Sequence, residues 1–501
     1  MFATTRACTV LGSDAVPVVV EASEERGLPA IVIIGLRATE RVETRERIRC
    51  GLAALGVDIG LRRIVVSVAP ADLPKSGAAL DLPIAIAVLA ALGHVPSERV
   101  AGIASHGELG LDGGLRAADG VVASAFAAVR SGAAEFIVPR ASAARAALAP
   151  MAVVHGDTLA EVVAHLRGTA PLPVASAADM RHQQPHDVDL GDVRAQRAAV
   201  EAMVVAAAGG HNALLFGAPG CGKTMLAHRL PTILPRLDPQ TALEVATIHD
   251  AAGLRERELD DRPPFRAPHH SVTSVALVGG GAGRPVVGEV TLAHRGVLFL
   301  DELPEYRPSA LDGLRQPLED AEVRIRRAGW IARYPCDTQV VAAMNLCRCG
   351  RYGIVGGAAC TCSDASRTAY RERVSGAIVD RFDVRVRMRP SGSILHTEPT
   401  MDSADALELV TRARERQRER WGGARLNGSV QSIRDSRLSL DPAARARVER
   451  LAAAGSGGRL QRAVVRVART VADLDDRAAV TEDDVLQSWE LCRTQLGAAD
   501  D

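Results

Sequence analysis

The chain has 501 residues, 60 basic and 60 acidic side chains, no net charge, and nine scattered cysteines. That length exceeds what one hydrophobic core organises, so two or three domains are expected, and the balanced charge excludes a global field drawing in nucleic acid or membrane. The cysteine pattern excludes a secreted disulfide framework, the start MFATTRACTV has no signal-peptide order, and the longest apolar run, Ile84–Leu92, is too short for a bilayer, so a soluble cytoplasmic protein with no membrane partner is expected.

Residues 1–168 alternate β-like and helical runs. Val18–Val20, Ile31–Ile34, Ile64–Val68 and Glu135–Val138 read as strands, with Gly27–Pro29 turning between the first two. Thr39–Leu55 and Ala118–Val129 have helical spacing, and Leu82–Leu92 is an apolar helix expected to be entered through Asp81 and Pro83. This is an α/β domain. Its stretches GLPAIVIIGL, RERIRCGLAALG, RRIVVSVAPADLPKSGAALDLPIAIAVLAALG and GELGLDGGLR resemble the Lon-protease-like domain at the front of the ComM/YifB branch of magnesium-chelatase-type ATPases. Lon proteases carry a serine after a P-K-x-G turn and a lysine after G-G-L. Here those places hold Ala79 and Ala118, with Lys75 and Ser76 elsewhere in the turn. Without nucleophile and base there is no acyl chemistry, so protease activity is not expected.

Residues 169–191 are rich in proline, alanine and glutamine, lack periodicity, and read as a flexible linker. His182 and His186 within it have no cysteine or carboxylate company suited to a metal.

The next unit, 192–395, is built around one stretch. A helical run, Val193–Gly209, leads to an apolar strand, Ala213–Phe216, and then to Gly217, Ala218, Pro219, Gly220, Cys221, Gly222, Lys223 and Thr224. This fits the phosphate-loop pattern G-x-x-x-x-G-K-[ST] at every fixed position. The glycines let backbone N–H groups face a phosphate chain, Lys223 reaches the β- and γ-phosphates, and Thr224 is placed to ligate Mg²⁺. The chain has two lysines, Lys75 and Lys223, and uses arginine elsewhere. Retaining lysine here suits a site that needs a compact ammonium. ATP and Mg²⁺ are therefore the expected cofactors. The apolar strand Gly296–Leu300 ends in Asp301 and Glu302, a Walker B pattern in which Asp301 holds Mg²⁺ and Glu302 polarises the attacking water. Asn345 follows the strand Val340–Met344 and fits a sensor position near the γ-phosphate. Cys347, Cys349, Cys360 and Cys362 form two C-x-C pairs across a glycine-rich loop, a set able to hold a structural Zn²⁺ or to remain as reduced thiols.

FRAPHHSVTSVALVGGG, GEVTLAHRGVLFLDEL, LRQPLED and VVAAMN strongly resemble the same ComM/YifB family. The resemblance implies an AAA+ fold, a ring (usually of six subunits), and ATP-driven work on DNA. It also implies that Arg381 reaches a neighbour's nucleotide as a trans-acting finger. Residues 265–295 match the family's insert, and Gly279–Gly281 suggest a mobile loop facing the ring's hole. His269 and His270 in that insert read as structural hydrogen-bonding residues or as a nucleotide-linked switch. Between Walker B and Asn345, EVRIRRAGWIARYP (322–335) has the alternation of a hairpin with one apolar and one basic face, Gly329 permitting the turn. Arg324, Arg326 and Arg327 are the expected DNA contacts, with pairing to Glu319 or Asp320 the competing reading.

Residues 396–501 give helices at Asp402–Trp421, Pro442–Leu451, Arg459–Leu474 and Thr481–Leu491, a helical lid. RVARTVADLDD resembles the family's lid helix, which implies a nucleotide contact from Arg459; a second family arginine falls at Ala463. The expected fold class is thus α/β: a Lon-protease-like domain, an AAA+ parallel-sheet domain and an α-helical lid. The expected function is a homohexameric ring ATPase moving single-stranded or branched DNA, resembling a branch-migration helicase. The alternative is a magnesium-chelatase-like motor for metal insertion or remodelling of a protein partner.

Overall fold

The chain opens with a strand that its own sequence conceals. Phe2–Leu11, FATTRACTVL, pairs antiparallel with Asp14–Arg26 from Phe2↔Ser23 to Leu11↔Asp14. Its inward positions are Ala3, Thr5 and Ala7, residues too small or too polar to read as a hydrophobic alternation. The computed structural model describes residues 1–75, 77–179, 187–254, 259–281, 286–327, 330–352, 359–389, 398–423 and 425–493, apart from the side chains of residues 327 and 330. Ser76, His182, His186 and Gly329 lie outside the described residues.

The first hairpin anchors a mixed seven-stranded sheet, ordered Ala30–Ile34, Arg62–Ala69, Asp14–Arg26, Phe2–Leu11, Ile103–Ser105, Glu135–Pro139 and Ala152–Gly156. The expected strand at Val18–Val20 is therefore the middle of a much longer one. The apolar helix runs Gly77–Ala91 and does not begin at Leu82, beside Pro83, as its sequence suggests. Proline inside a helix strands the carbonyl four residues earlier. Here that carbonyl, Ala79 O, accepts the Gly107 N–H at 3.1 Å, and Gly107 O accepts the Leu82 N–H at 3.1 Å. A neighbouring loop thus repairs the helix, and Ala79 is buried at the repair. Ala118 lies beside the same loop, its carbonyl 3.5 Å from His106 Nε2. Lys75 donates to Pro70 O and Leu73 O at 2.5 and 3.1 Å.

The connector is shorter than its composition suggests. Leu172 is buried, His155 N–H donates to Pro173 O at 3.1 Å, and Ala175 N–H donates to Val153 O at 2.8 Å. The segment to Ala175 therefore packs on the amino-terminal domain.

The second sheet has five parallel strands, ordered Phe265–Arg266, Val297–Leu300, Gln339–Met344, Ala213–Gly217 and Val384–Met388. Its three central strands are buried along their whole length, as expected of a parallel sheet covered on both faces. Gly279–Gly280, expected to be mobile loop, pairs antiparallel with Val286–Val287. The residues expected to form a hairpin do so, from Glu322↔Pro335 to Arg327↔Trp330.

Contacts at two places, among others, join the amino-terminal domain to this unit. Asp250, on helix Pro239–Ala251, accepts Arg145 Nη1 at 2.6 Å and the Val122 N–H at 3.0 Å, where it meets the start of helix Val121–Arg130. Gly12, in the first hairpin's turn, has no room for a side chain, since a Cβ would lie 2.5 Å from Arg333 O of the arginine hairpin.

The carboxyl-terminal helices Ser403–Trp421, Pro442–Ala453, Gly458–Leu474 and Glu482–Arg493 form the lid. A buried polar network docks it. His211 bridges Asp383 (Nδ1 to Oδ2, 3.0 Å) and Thr470 (Nε2 to Oγ1, 2.8 Å), and Arg466 reaches Asp383 at 2.5 Å. Asn427 donates to Thr470 at 3.1 Å and to Asp473 at 2.9 Å; Arg420 and Arg469 both meet Asp473. Removing one partner of a buried ion pair leaves the other charge without compensation. Asp473→Ala should therefore destabilise the lid by about 3–5 kcal/mol, measured by urea unfolding. A loss below about 1 kcal/mol, the scale of exposed pairs, would remove this carboxylate from the network's centre.

Candidate active site

Parallel register brings three strand ends together. Phe216 lies opposite Met344, and Leu300 opposite Ala342, so the loops that follow open at one edge of the sheet. Gly217 ends strand Ala213–Gly217 where a Cβ would lie 2.1 Å from Met388 O, and only glycine fits. Gly222, at φ +89°, caps the short helix Lys223–Ala227. The loop between is Ala218, Pro219, Gly220 and Cys221, with Ala218 and Cys221 buried and Pro219 and Gly220 exposed.

Lys223 is buried, and its ammonium donates to Gly217 O at 3.0 Å, Ala218 O at 2.8 Å and Asn345 Oδ1 at 3.1 Å. Burial lowers its pKa from the ordinary lysine value. Cys221 Sγ lies 3.8 Å from the same ammonium, so its three donors are already engaged, and binding a phosphate here means exchanging these partners for phosphate oxygens. Thr224 Oγ1 donates to Asp301 Oδ2 at 2.8 Å. The two side chains expected to share one divalent cation therefore already touch, and a hydroxyl with a carboxylate oxygen is a hard donor set suited to Mg²⁺. Asp301 Oδ1 accepts the Glu302 N–H at 2.8 Å. Glu302 sits at φ +51°, ψ +47°, a left-handed conformation costing a non-glycine residue roughly 1–2 kcal/mol. Its carboxylate meets His270 Nδ1 at 3.2 Å.

Arg381 and Arg459 are elsewhere. Both line a cavity of about 180 Å³ with Arg462, Arg466, Asn212 and Thr338. Asn212 and Thr338 immediately precede strands Ala213–Gly217 and Gln339–Met344. The cavity thus lies at the amino ends of the strands, whereas the phosphate loop lies at their carboxyl ends. Arg381 also pairs with Glu319 at 2.6 Å, and its carbonyl accepts Asn212 Nδ2 at 3.0 Å. Glu319 therefore partners Arg381 rather than Arg324 or Arg326.

On the hairpin, Val323 is buried and Arg324 and Arg326 are exposed; the Arg327 side chain lies outside the described residues. Arg324 stands directly opposite Arg333 across the strands. Glu322 accepts from Arg324 at 3.1 Å and lies 3.7 Å from Arg333, offsetting the like-charge pair. Arg333 was not among the expected contacts, although the strand alternation could have found it. Arg462, the arginine one place from Ala463, joins the cavity with Arg459.

The four cysteines converge, with all Sγ atoms within 4.8 Å of one another and Cys347–Cys349, Cys349–Cys360 and Cys360–Cys347 separations of 3.4, 3.5 and 3.7 Å. A Zn–S distance near 2.3 Å implies S···S of about 3.8 Å in a tetrahedron, so these residues fit zinc. The Tyr352 N–H points at Cys347 Sγ at 3.4 Å. The Arg351 N–H and the neighbouring Cys347 thiol lower the Cys349 pKa to about 6, while burial raises that of Cys347 to about 11. The loop abuts the phosphate loop, for a Cβ on Gly350 would lie 2.8 Å from Pro219 Cγ.

Three family profiles match the chain: "Magnesium chelatase, subunit ChlI" over residues 189–394, "Subunit ChlI of Mg-chelatase" over 20–142, and "Magnesium chelatase, subunit ChlI C-terminal" over 400–491. The chain is 38% identical to the competence protein ComM of Haemophilus influenzae over 478 residues, covering 93% of this chain and 92% of that protein. It is 38% identical to the uncharacterized protein YifB of Escherichia coli over 480 residues, covering 94% and 93%. Over 140 residues, 26% of this chain and 25% of the relative, it is 29% identical to Lon protease 2 of Bacillus subtilis. No helix among the described residues is long and apolar enough to cross a membrane.

The lowered Cys349 pKa has a direct consequence, since the thiolate is the species that alkylates. In metal-stripped protein, Cys349 alkylation should reach half its plateau near pH 6, against about 8.5 for an ordinary thiol. Mass-spectrometric rates across pH check this; a midpoint near the ordinary value would remove the backbone N–H from the account.

Proposed function

The chain belongs to the magnesium-chelatase ChlI-type family, in its ComM/YifB branch, and from that membership of an ATPase family we propose that it is an ATP-driven homohexameric ring motor acting on DNA. The observation that carries this reading is the separation of Lys223, Thr224, Asp301, Glu302 and Asn345 from Arg381 and Arg459 at opposite ends of one sheet. A subunit so built does not complete its own site. A neighbour that presents its arginine cavity to the phosphate loop does, and closed repetition of that contact generates a ring.

In this reading Gly217–Thr224 cradle the phosphates with backbone N–H groups, Lys223 turns from its loop carbonyls to the β- and γ-phosphates, and Asn345 orients the attacking water. Glu302 polarises that water as it attacks the γ-phosphorus. Mg²⁺ held by Thr224 and Asp301 would neutralise phosphate charge. Arg381 and Arg459 of the adjacent subunit approach the γ-phosphate, so hydrolysis loosens one interface and moves the subunits relative to each other. Zn²⁺ on Cys347, Cys349, Cys360 and Cys362 would brace the loop that abuts Pro219. Residues 192–395 form the motor and 396–501 its lid; residues 1–168 keep a protease-like fold without the dyad, with alanines at Ala79 and Ala118.

DNA enters the reading through the hairpin and through ComM, which is named as a competence protein. Arg324, Arg326 and Arg327 in six copies would form a ring of guanidinium groups able to follow a phosphate backbone without reading sequence. The Glu322 pairing does not oppose this, because exposed pairs are worth below about 1 kcal/mol and a phosphate can displace the carboxylate. A chelatase-like motor acting on a protein or tetrapyrrole partner is the second reading, favoured by the descriptions of the three matching families. ATPase rate with and without single-stranded or branched DNA separates the two, because only the DNA motor is stimulated.

Lys223→Ala should lose ATP binding, whereas Glu302→Gln should bind ATP and turn over about 10²–10⁴-fold more slowly, read by nucleotide titration and steady-state ATPase. Equal ATP affinity for Lys223→Ala and the parent would sink the phosphate-loop assignment. Changing Arg324, Arg326 and Arg327 together to Ala should weaken DNA binding and flatten its salt dependence by about 0.9 in slope per lost phosphate contact. Unchanged affinity and slope in an assembled ring would take the hairpin out of the DNA path.

A further inference from the structure

Beside the cavity that holds Arg381 and Arg459 lies a second cavity, of about 150 Å³, also at the amino ends of the strands. The two share Gly210, Asp337, Thr338 and Ser429 in their walls. Five arginines line the second one, Arg236, Arg295, Arg414, Arg418 and Arg425, against two carboxylates, Asp238 and Asp337. Asp238 is committed to capping helix Pro239–Ala251, and Asp337 pairs with Arg295 at 2.6 Å. Arg236 has Asp261, outside the lining, at 2.6 Å. The other three have no carboxylate within ion-pair distance among the described residues. Arg414 gives Nε and Nη2 to Ala207 O at 3.1 and 2.6 Å, closing the end of helix Arg197–Gly209. Arg418 stands one turn further along helix Ser403–Trp421, is exposed, and makes no side-chain hydrogen bond among the described residues. Arg425 lies 5.6 Å from the centre of the Trp421 ring and reaches Ser429 O at 3.5 Å. Like charges at i and i+4 destabilise a helix. Burial, together with Arg418, lowers the Arg414 pKa to about 10.

We propose that this arginine cavity is a second anion site, distinct from the phosphate loop, and that it takes a phosphate group through Arg414, Arg418 and Arg425. Its walls are fixed. Gly210 turns left-handed at φ +65°, and a Cβ there would lie 2.8 Å from Leu426 Cδ1, so the loop carrying Arg425 is seated against that turn. On the far wall Arg295 is left-handed at φ +60°, a conformation that a bulky side chain keeps only where its surroundings impose it. Here the Arg295 N–H donates to Asp337 O at 2.8 Å, and its side chain is held by Glu244 and Asp337. Guanidinium groups offer paired N–H donors in a planar fork, the geometry that matches phosphate oxygens. Three uncompensated cations favour an anion with several charges close together over a lone carboxylate. The cavity is also smaller than the roughly 300–1,000 Å³ that encloses a whole small-molecule ligand, which suits phosphate groups and leaves no room for a nucleoside. A free diphosphate and the backbone of a nucleic acid share this chemistry.

The test is calorimetric titration of the full chain, its phosphate loop filled by a saturating non-hydrolysable ATP analogue. The probes are diphosphate, a single-stranded oligonucleotide and oligoglutamate. The parent should bind diphosphate, the oligonucleotide or both, and Arg418→Ala should weaken that binding about tenfold or more, the scale of one charge-assisted hydrogen bond. Arg425→Ala should act in the same direction, Arg418→Lys should recover part of the loss, and Arg381→Ala, in the adjoining cavity, should leave the affinity unchanged. A loss confined to diphosphate assigns the site to a free anion. A loss of oligonucleotide affinity, with the salt slope flattened by about 0.9, assigns it to a nucleic-acid backbone. The proposal is overturned if neither probe binds beyond the phosphate loop, if Arg418→Ala binds both as the parent does, or if Arg381→Ala alone abolishes binding. Oligoglutamate as the one probe that Arg418→Ala weakens overturns it as well, in favour of an acidic protein segment. Arg414 is left intact because its removal would uncap Ala207. Should Arg418→Ala not fold, Arg425→Ala gives the same readout, and an unchanged affinity there counts against the site.

Discussion

The parallel register of three short strands is the constraint on which everything else in this molecule depends. Ala213–Gly217, Gln339–Met344 and Val297–Leu300 are hydrogen-bonded side by side in one direction. The loops leaving them therefore carry Lys223, Asn345 and Asp301 to a single edge, although 122 residues separate Lys223 from Asn345 and 77 separate Thr224 from Asp301. A strand shifted by one residue would turn its side chains to the other face and retract its loop. The strands resist such a shift because both faces are buried. Their near-continuous apolar composition is thus part of the chemistry as well as of the core.

The same strands separate two sets of cationic side chains: Lys223 sits at the carboxyl ends, and the arginines of the 180 Å³ cavity sit at the amino ends. What holds that second group in place is the lid. Asp383 lies two residues after Arg381 and is tied through His211 and Arg466 to helix Gly458–Leu474. The lid helix that carries Arg459 and Arg462 is therefore mechanically joined to the turn that carries Arg381, just before strand Val384–Met388. A buried network of this kind is worth less as net stability than as specification of one docking geometry. The amino-terminal domain is joined more locally, through Asp250 and through the turn at Gly12 that rests on the arginine hairpin.

Much of this architecture was legible in the chain. The phosphate loop has a fixed spelling because backbone N–H groups must converge on phosphate. Walker B is legible because a buried strand must end in carboxylates, and the hairpin because its two faces alternate. Strand Phe2–Leu11 was not legible, because alanine and threonine at its inward positions carry no hydrophobic signal. The true start of the helix Gly77–Ala91 was hidden by Pro83, whose cost is removed by a carbonyl–amide pair with Gly107, far away in the chain. Local rules cannot anticipate a repair that arrives from another element.

The amino-acid sequence by itself determined which chemistry is available: an ammonium in a glycine loop, paired carboxylates after an apolar strand, four thiols in two pairs, and a basic hairpin. It did so because each group needs particular neighbours within a few residues, and those neighbours are spelled out in order. Only the tertiary structure decided which groups meet. It brought Thr224 to Asp301 and His270 to Glu302, gathered four sulphurs within 4.8 Å, and placed Arg459 beside Arg381 rather than beside Lys223. Those pairings depend on strand order and on the docking of the lid. Both are set by burial and hydrogen bonding between residues far apart in the chain, where spacing in sequence carries no information about distance.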